Sequence, residues 1–276
     1  VLGQLAEKAP GFFVGQLKRG TSYRFRISWP DAVQEIDDPY AFGPVLGDLD
    51  LYLFNQGRHW ELSRRMGAVP MEVDGVSGTA FSVWAPNARG VSVVGDFNSW
   101  DGRRLPMQLR HDAGIWELFV PGVEEGARYK FEILGCDGIL RQKSDPLARR
   151  TEEPPATASI VAALPDFAWR DDDWMAGRAD RHHPGAPISI YELHAGSWMK
   201  PWHGSAHDWD ALGDLLIPYV TGLGFTHVEL MPIMEHPFGG SWGYQPLGQF
   251  APFFRYGTPE QFARFVDRCP RAGLGV

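Results

Sequence analysis

Cysteine is almost missing from this chain. Only Cys136 and Cys269 occur in 276 residues. They lie far apart among apolar neighbours, which predicts two buried free thiols in a reducing, cytoplasmic compartment and excludes a disulfide framework. Long hydrophobic runs are also missing. No stretch approaches the roughly 20 apolar residues of a membrane-spanning helix, and no signal peptide stands at the observed start. Basic runs are missing too. The net charge is −8 and is spread along the chain, so neither nucleic acid nor an anionic membrane is an expected partner. "VVGDF" (Val93–Phe97) carries no phosphate-binding glycine pattern, and no Ser–His–Asp set can be assembled. His203 and His207 have the spacing of a zinc helix. However, Gly204 and Ser205 between them favour a turn, and neither the general-base Glu nor a third ligand is evident, so no metal is expected.

What is present is aromatic. The chain has eleven tryptophans, many beside Gly, Pro or Asn. Most suit a core. Those in loops also suit a second use, as rigid flat faces that stack on sugars or bases, and the acidic balance disfavours bases.

The pattern of the chain divides it. "YRFRISW" (Tyr23–Trp29) alternates with period two and predicts a strand. "DPYAFGPVLGDLDLYLF" (Asp38–Phe54) is punctuated loop passing into a short strand or helical turn. From 72 to 163, short alternating runs such as "GTAFSVWAP", "GVSVVGDF", "GIWELFVP" and "RYKFEIL" recur between turn residues, the signature of a small β-sandwich. Residues 164–187 are charged and broken and read as a linker. From 188 to 276 the order is strand, helix, strand, helix and the start of a strand, a parallel α/β pattern. Trp209, Leu212, Leu216, Val220 and Leu223 have helical spacing, with Gly224 placed to end that helix and Pro218 expected to kink it. Thr258, Pro259 and Gln261 form a helix-start signature with a capping box.

Between the second strand and the second helix lies "EHPFGGSWGYQPLGQFAP" (Glu235–Pro252), longer than an ordinary α/β connection. It follows a strand's carboxyl end, where ligands sit in such folds. Glu229 and Glu235 invite a glycosidase reading with two carboxylates flanking a bond. The simpler reading, preferred here, has Glu229 paired along its strand and Glu235 ordering the loop.

"DPYAFGPVLGDLDLYLFNQGRHWEL", "GTAFSVWAPNARGVSVVGDFNSWDGRRLPM", "YELHAGSW" and "GFTHVELMPIMEHPFGGSWGYQPLG" together resemble the bacterial 1,4-α-glucan (glycogen) branching enzymes over nearly the whole chain. The resemblance implies a multidomain protein. Residues 1–67 would be the C-terminal part of an N-terminal immunoglobulin-like β-sandwich. Residues 72–163 would be a family 48 carbohydrate-binding sandwich. After the linker, 188–276 would be the first two βα units and the start of the third strand of a glycoside hydrolase family 13 (β/α)8 barrel. The implied activity is glycosyl transfer from α-1,4 to α-1,6 linkage in glycogen biosynthesis, without a cofactor, on α-glucans such as glycogen and amylose. The family's catalytic carboxylates follow later strands, so no catalytic residue is assigned here, and this chain alone is expected to be inactive. Its first residue, Val1, and its final "RAGLGV" lead to the expectation of a segment of a longer protein.

By the same resemblance Tyr244 is the sugar-stacking residue, Gln245 its polar neighbour, and Trp242 and His236 belong to the same rim. In the binding module, Trp100 and Lys130 occupy glucan-holding positions, while Ile139 and Leu140 stand where a second stacking Trp is expected. Leu247, Phe253–Phe254 and Pro270 also depart from the family pattern. Two alternatives are a stand-alone α-glucan-binding protein and a trehalohydrolase-type glycosidase, which shares "YELH" and "ELMP".

Overall fold

The computed structural model describes residues 2–164, 166–200 and 204–276. Two antiparallel hairpins come first: β1 (Ala6–Ala9) with β2 (Phe12–Val14), and β3 (Phe25–Ser28) with β4 (Val33–Ile36). Phe12, Phe13 and Trp29 remain exposed. Among the described residues each hairpin is a two-stranded sheet that pairs with no further strand. The "DLDLYLF" segment folds as helix α1 (Asp48–Asn55) and packs against the next module through Leu46, Leu51, Met66, Ala113 and Ile115. A buried carboxylate secures that contact. Glu117 accepts from the Val45 and Leu46 N–H groups and from Arg110, whose Nη1 lies 2.7 Å away.

The module itself contains β5 (Gly67–Val73), β6 (Val76–Trp84), β7 (Gly90–Gly95), β8 (Gln108–Arg110), β9 (Ile115–Pro121), β10 (Arg128–Leu134), β11 (Leu140–Lys143) and β12 (Ser159–Ile160). One sheet runs β5-β6-β9-β8. In the other, β10 pairs with β7 on one side and with β11 and β12 on the other. Alternating residues of both sheets, among them Phe81, Val93, Trp116, Leu118, Tyr129 and Phe131, share one core. This is the outcome that period-two patterning dictates when two antiparallel sheets bury one face each. Cys136 departs from expectation: it is exposed in the β10–β11 turn, beside Gly138 at φ 78°, and only Cys269 is buried. A hairpin tip projects away from any core, whatever the hydropathy of its neighbours.

The linker carries two short helices, α2 (Asp172–Ala176) and α3 (Arg178–Arg181). It is docked rather than free. The Arg170 N–H donates to the buried Asp267 carboxylate at 2.6 Å, and His182 meets His227 with 3.0 Å between their Nε2 atoms.

Strand β13 (Ile190–Leu193) then pairs in parallel with β14 (His227–Leu230), in the register Ile190↔His227 to Leu193↔Leu230. A parallel bridge from His227 to Gly275 begins a third strand. The connections are helix α4 (Trp209–Gly222) and helix α5 (Pro259–Arg271). Asp208 caps α4 by accepting from the Ala211 N–H, and the helix continues through Pro218. Both helices end in a glycine at positive φ, Gly224 and Gly273. The Phe225 N–H returns to the Val220 carbonyl, and the Leu274 N–H to that of Cys269, which satisfies carbonyls the helix leaves over. The expected capping box forms between Thr258 and Gln261. Trp209, Leu212, Leu216, Val220, Phe265 and Cys269 pack under the strands. The opposite sheet face is open: Ile190, Glu192 and Glu229 are exposed. Glu229 lies in register with Glu192, so the pairing partner expected for it is replaced by a like charge.

Among the described residues no helix is long and apolar enough to cross a membrane.

Candidate functional site at the strand carboxyl ends

The loop after β14 is more ordered than its composition suggests. Its ends form a short antiparallel ribbon, β15 (Met234–Glu235) and β16 (Gly248–Pro252). Glu235 holds that ribbon together. One carboxylate oxygen accepts from the His236 N–H at 3.0 Å and the other from the Phe254 N–H at 3.1 Å. Burial raises its pKa above the usual carboxylate value, while these N–H groups and the nearby Thr151 hydroxyl act against the rise. With both oxygens engaged, Glu235 orders the loop and is not available to flank a substrate bond.

At the tip, Gly239–Ser241 make one 3-10 turn. Gly243 then approaches the chain just after β14 so closely that a Cβ there would lie 2.4 Å from the Pro232 carbonyl oxygen, and its φ is +87°. Only glycine satisfies both conditions. Pinning Gly243 against Pro232 turns its two neighbours outward: Trp242 is 57% exposed and Tyr244 63%. Gln245 is exposed beside them. The Trp242 ring leans on His194, with 6.0 Å between centroids and 39° between planes. His194 is the residue immediately after β13, so the ends of both strands contribute to one cluster.

His236 is not on the rim. Its side chain is buried, stacked on Phe253 at 4.0 Å and 21°, with Nδ1 2.9 Å from the Met234 carbonyl oxygen. An imidazole has apolar faces, and the Phe that departs from the family pattern at 253 supplies a partner for one of them. His194, by contrast, lies within the "YELH" motif, which by itself gives it no role. Its position directly after a strand's carboxyl end is the signal that could have marked it.

On the sandwich, Lys130 and Glu132 lie on the outward side of β10, alternating with the buried Tyr129 and Phe131. Lys130 Nζ donates to Thr157 Oγ1 at 2.8 Å. Trp100 sits in the turn after β7 with its indole N–H on Asp96 at 3.1 Å. Gly102 of the same turn packs so tightly on Glu132 that a Cβ would meet its carboxylate, which brings this turn over the same face. Ile139 and Leu140 are exposed in the adjoining hairpin.

Among the described residues no three His, Cys, Asp or Glu side chains gather as a metal site. His203 lies outside those residues, and His207 Nε2 is 3.1 Å from the Met199 carbonyl oxygen.

Residues 65–148 match carbohydrate-binding module 48, the isoamylase N-terminal domain. Over 99% of its length the chain is 60% identical to the 1,4-alpha-glucan branching enzyme of Ralstonia nicotianae, covering 38% of that protein. To the branching enzyme of Pseudomonas putida it is 59% identical over 97% of its length, covering 37% of it. The chain therefore spans well under half of the relatives it matches. Among solved structures, a Salmonella typhimurium protein assigned as an alpha amylase superposes with a TM-score of 0.55 at 27% identity, over 76% of this chain and 32% of that one. Residues 65–148 thus form a carbohydrate-binding module 48 domain, and nearly all of the chain is similar to a part of the 1,4-alpha-glucan branching enzymes.

Proposed function

We propose that the chain is the glucan-binding part of a 1,4-α-glucan branching enzyme, which moves a glucan chain from an α-1,4 to an α-1,6 linkage in glycogen synthesis in the cytoplasm. The α/β unit is the beginning of a (β/α)8 barrel. Three features support this: two parallel strands with a third started beside them, helices on one face only, and exposed residues on the other face where the barrel interior would be. The observation that carries the reading is the outward presentation of Trp242 and Tyr244 at the strand carboxyl ends. Tyr244 is the stacking face, Gln245 the polar anchor and Trp242 part of the rim. A flat ring covers a sugar's C–H face while polar neighbours fix its orientation. His236 supports this platform from beneath. Trp100 and Lys130 form a second, weaker glucan contact on the sandwich, lacking the stacking partner that Ile139 and Leu140 replace. The reaction requires no cofactor.

Glu235 is locked to two backbone donors and is not free to flank a bond, and no residue of this chain matches the family's catalytic carboxylates. The chain by itself binds glucan without cleaving it. Incubation with amylose should therefore leave both iodine colour and reducing ends unchanged; turnover surviving removal of contaminating enzymes would refute this. Maltoheptaose binding tests the platform. Tyr244→Ala should weaken it about thirtyfold, the scale of about 2 kcal/mol for a truncated aromatic anchor, with little change in melting temperature. A large melting drop with unchanged affinity would make Tyr244 structural.

A further inference from the structure

One polar group at the strand ends has no role in this scheme. His194 reaches the platform from β13, whereas Trp242 arrives from the loop after β14, and the two rings meet at 6.0 Å. Placing His194 there needs a glycine two residues on. A Cβ at Gly196 would come within 3.0 Å of His194 Cε1 and 2.5 Å of the Tyr256 hydroxyl. His194 Nδ1 is engaged with Ser197 Oγ at 3.0 Å. Nε2 makes no hydrogen bond among the described residues, and it is not a buried orphan either. Burial first, and then the neighbouring His236 imidazole, hold the His194 pKa below its ordinary value. The ring is therefore neutral at neutral pH, with one nitrogen a donor and the other an acceptor.

The nearest charges of the loop are committed elsewhere, while Glu192, two residues before His194, and Glu229 stay exposed on the open sheet face without an ionic partner among the described residues. Glu235 accepts from two backbone N–H groups, and Arg255 lies over the Phe253 and Phe254 rings. Where the two rings meet, an indole faces solvent with one neutral nitrogen beside it. That pair suits a neutral ligand with an apolar C–H face and a hydroxyl at its edge, and the exposed Glu192 and Glu229 carboxylates on the open sheet face disfavour an anion.

We propose that His194 is a further glucan-binding residue, its Nε2 hydrogen-bonding a hydroxyl of the glucose unit whose C–H face lies on Trp242. The proposal rests on the glucan reading above and extends it to a residue on the other strand.

Maltoheptaose titrated calorimetrically into the whole chain and its variants provides the test. His194→Leu keeps the volume and removes the nitrogen, and should weaken binding about three- to tenfold, the effect of one neutral hydrogen bond. Melting temperature should be unchanged, and His194→Gln should restore most of the affinity. In the unmodified chain, the ¹⁵N resonance of His194 Nε2 should shift at saturation. Unchanged affinity in His194→Leu, with a stationary Nε2 resonance and a Tyr244→Ala variant that loses binding, would overturn the His194 assignment alone. Absence of binding by the unmodified chain would overturn the glucan reading and this proposal together. If His194→Leu does not fold, the resonance decides: a shift supports the contact, and a stationary signal at saturation refutes it.

Discussion

The sandwich of β5–β12 and the α/β unit of β13–α5 are built from similar amounts of apolar sequence but finish their cores differently. In the sandwich, each sheet buries its inner face against the other, and the outer faces carry polar side chains such as Arg128, Lys130 and Glu132. In the α/β unit, helices cover one face of the parallel strands, and Ile190, Glu192 and Glu229 are left on the other. Parallel strands are ordinarily covered on both faces. A two-sheet core is complete within its own residues, whereas a one-sided parallel sheet is not. The sandwich should behave as the autonomous unit, and the α/β unit as the part that opens first.

That contrast is most sharply tested at one fully buried aromatic in each unit. Trp209 and Phe81 are both fully buried. Truncation of either to Ala should cost about 3–5 kcal/mol. If the units are independent, Trp209→Ala should lower protection only beyond residue 170 in hydrogen exchange and limited proteolysis, and Phe81→Ala only within the sandwich. Equal loss across both halves would show a single cooperative unit.

The next test is electrostatic and confined to the sandwich. Asp145 is buried and accepts from the Tyr129 hydroxyl at 2.5 Å and the Leu147 N–H at 2.8 Å. Burial raises its pKa from 3.8 to about 6. A carboxyl group with a raised folded-state pKa holds its proton more tightly folded than unfolded. Sandwich stability should therefore increase as pH falls from 7 through 6 toward 4, by on the order of 2–3 kcal/mol. Asp145→Asn should flatten this slope in pH-dependent urea melts, while the α/β unit's profile stays as it was. An unchanged slope would contradict the assignment.

A more local effect, confined to the loop, is expected at the ribbon of β15 and β16. Glu235→Ala leaves the His236 and Phe254 N–H groups without their acceptor, at about 1–3 kcal/mol for each group kept from water. The loss should appear as faster amide exchange at these two positions, with the sandwich unaffected; unaltered exchange would remove Glu235 as the loop's clasp. The smallest effect belongs to the helix start. Thr258→Ala breaks the bond to the Gln261 N–H, seen at 3.3 Å, and should destabilise α5 by about 1 kcal/mol, read as a small shift in the melting of the α/β unit alone.

Sequence patterning determined the elements whose causes are local. Period-two runs became strands, the 3.6-residue stripe became α4, and Thr258 with Gln261 capped α5, because side-chain alternation and capping depend only on neighbours along the chain. The place of the platform loop was also legible, since a parallel strand's carboxyl end is defined by the order of elements. Tertiary structure alone decided the rest. Phe253 took His236 from the rim into a stack. Glu117 drew the segment around Leu46 onto the sandwich. The hairpin tip carried Cys136 into solvent, and His194 was brought beside Trp242 from another strand. The contacts of His236, Glu117 and His194 depend on atoms distant in sequence meeting in space, and hydropathy read along the chain contains no term for such a meeting or for the outward turn of a hairpin tip.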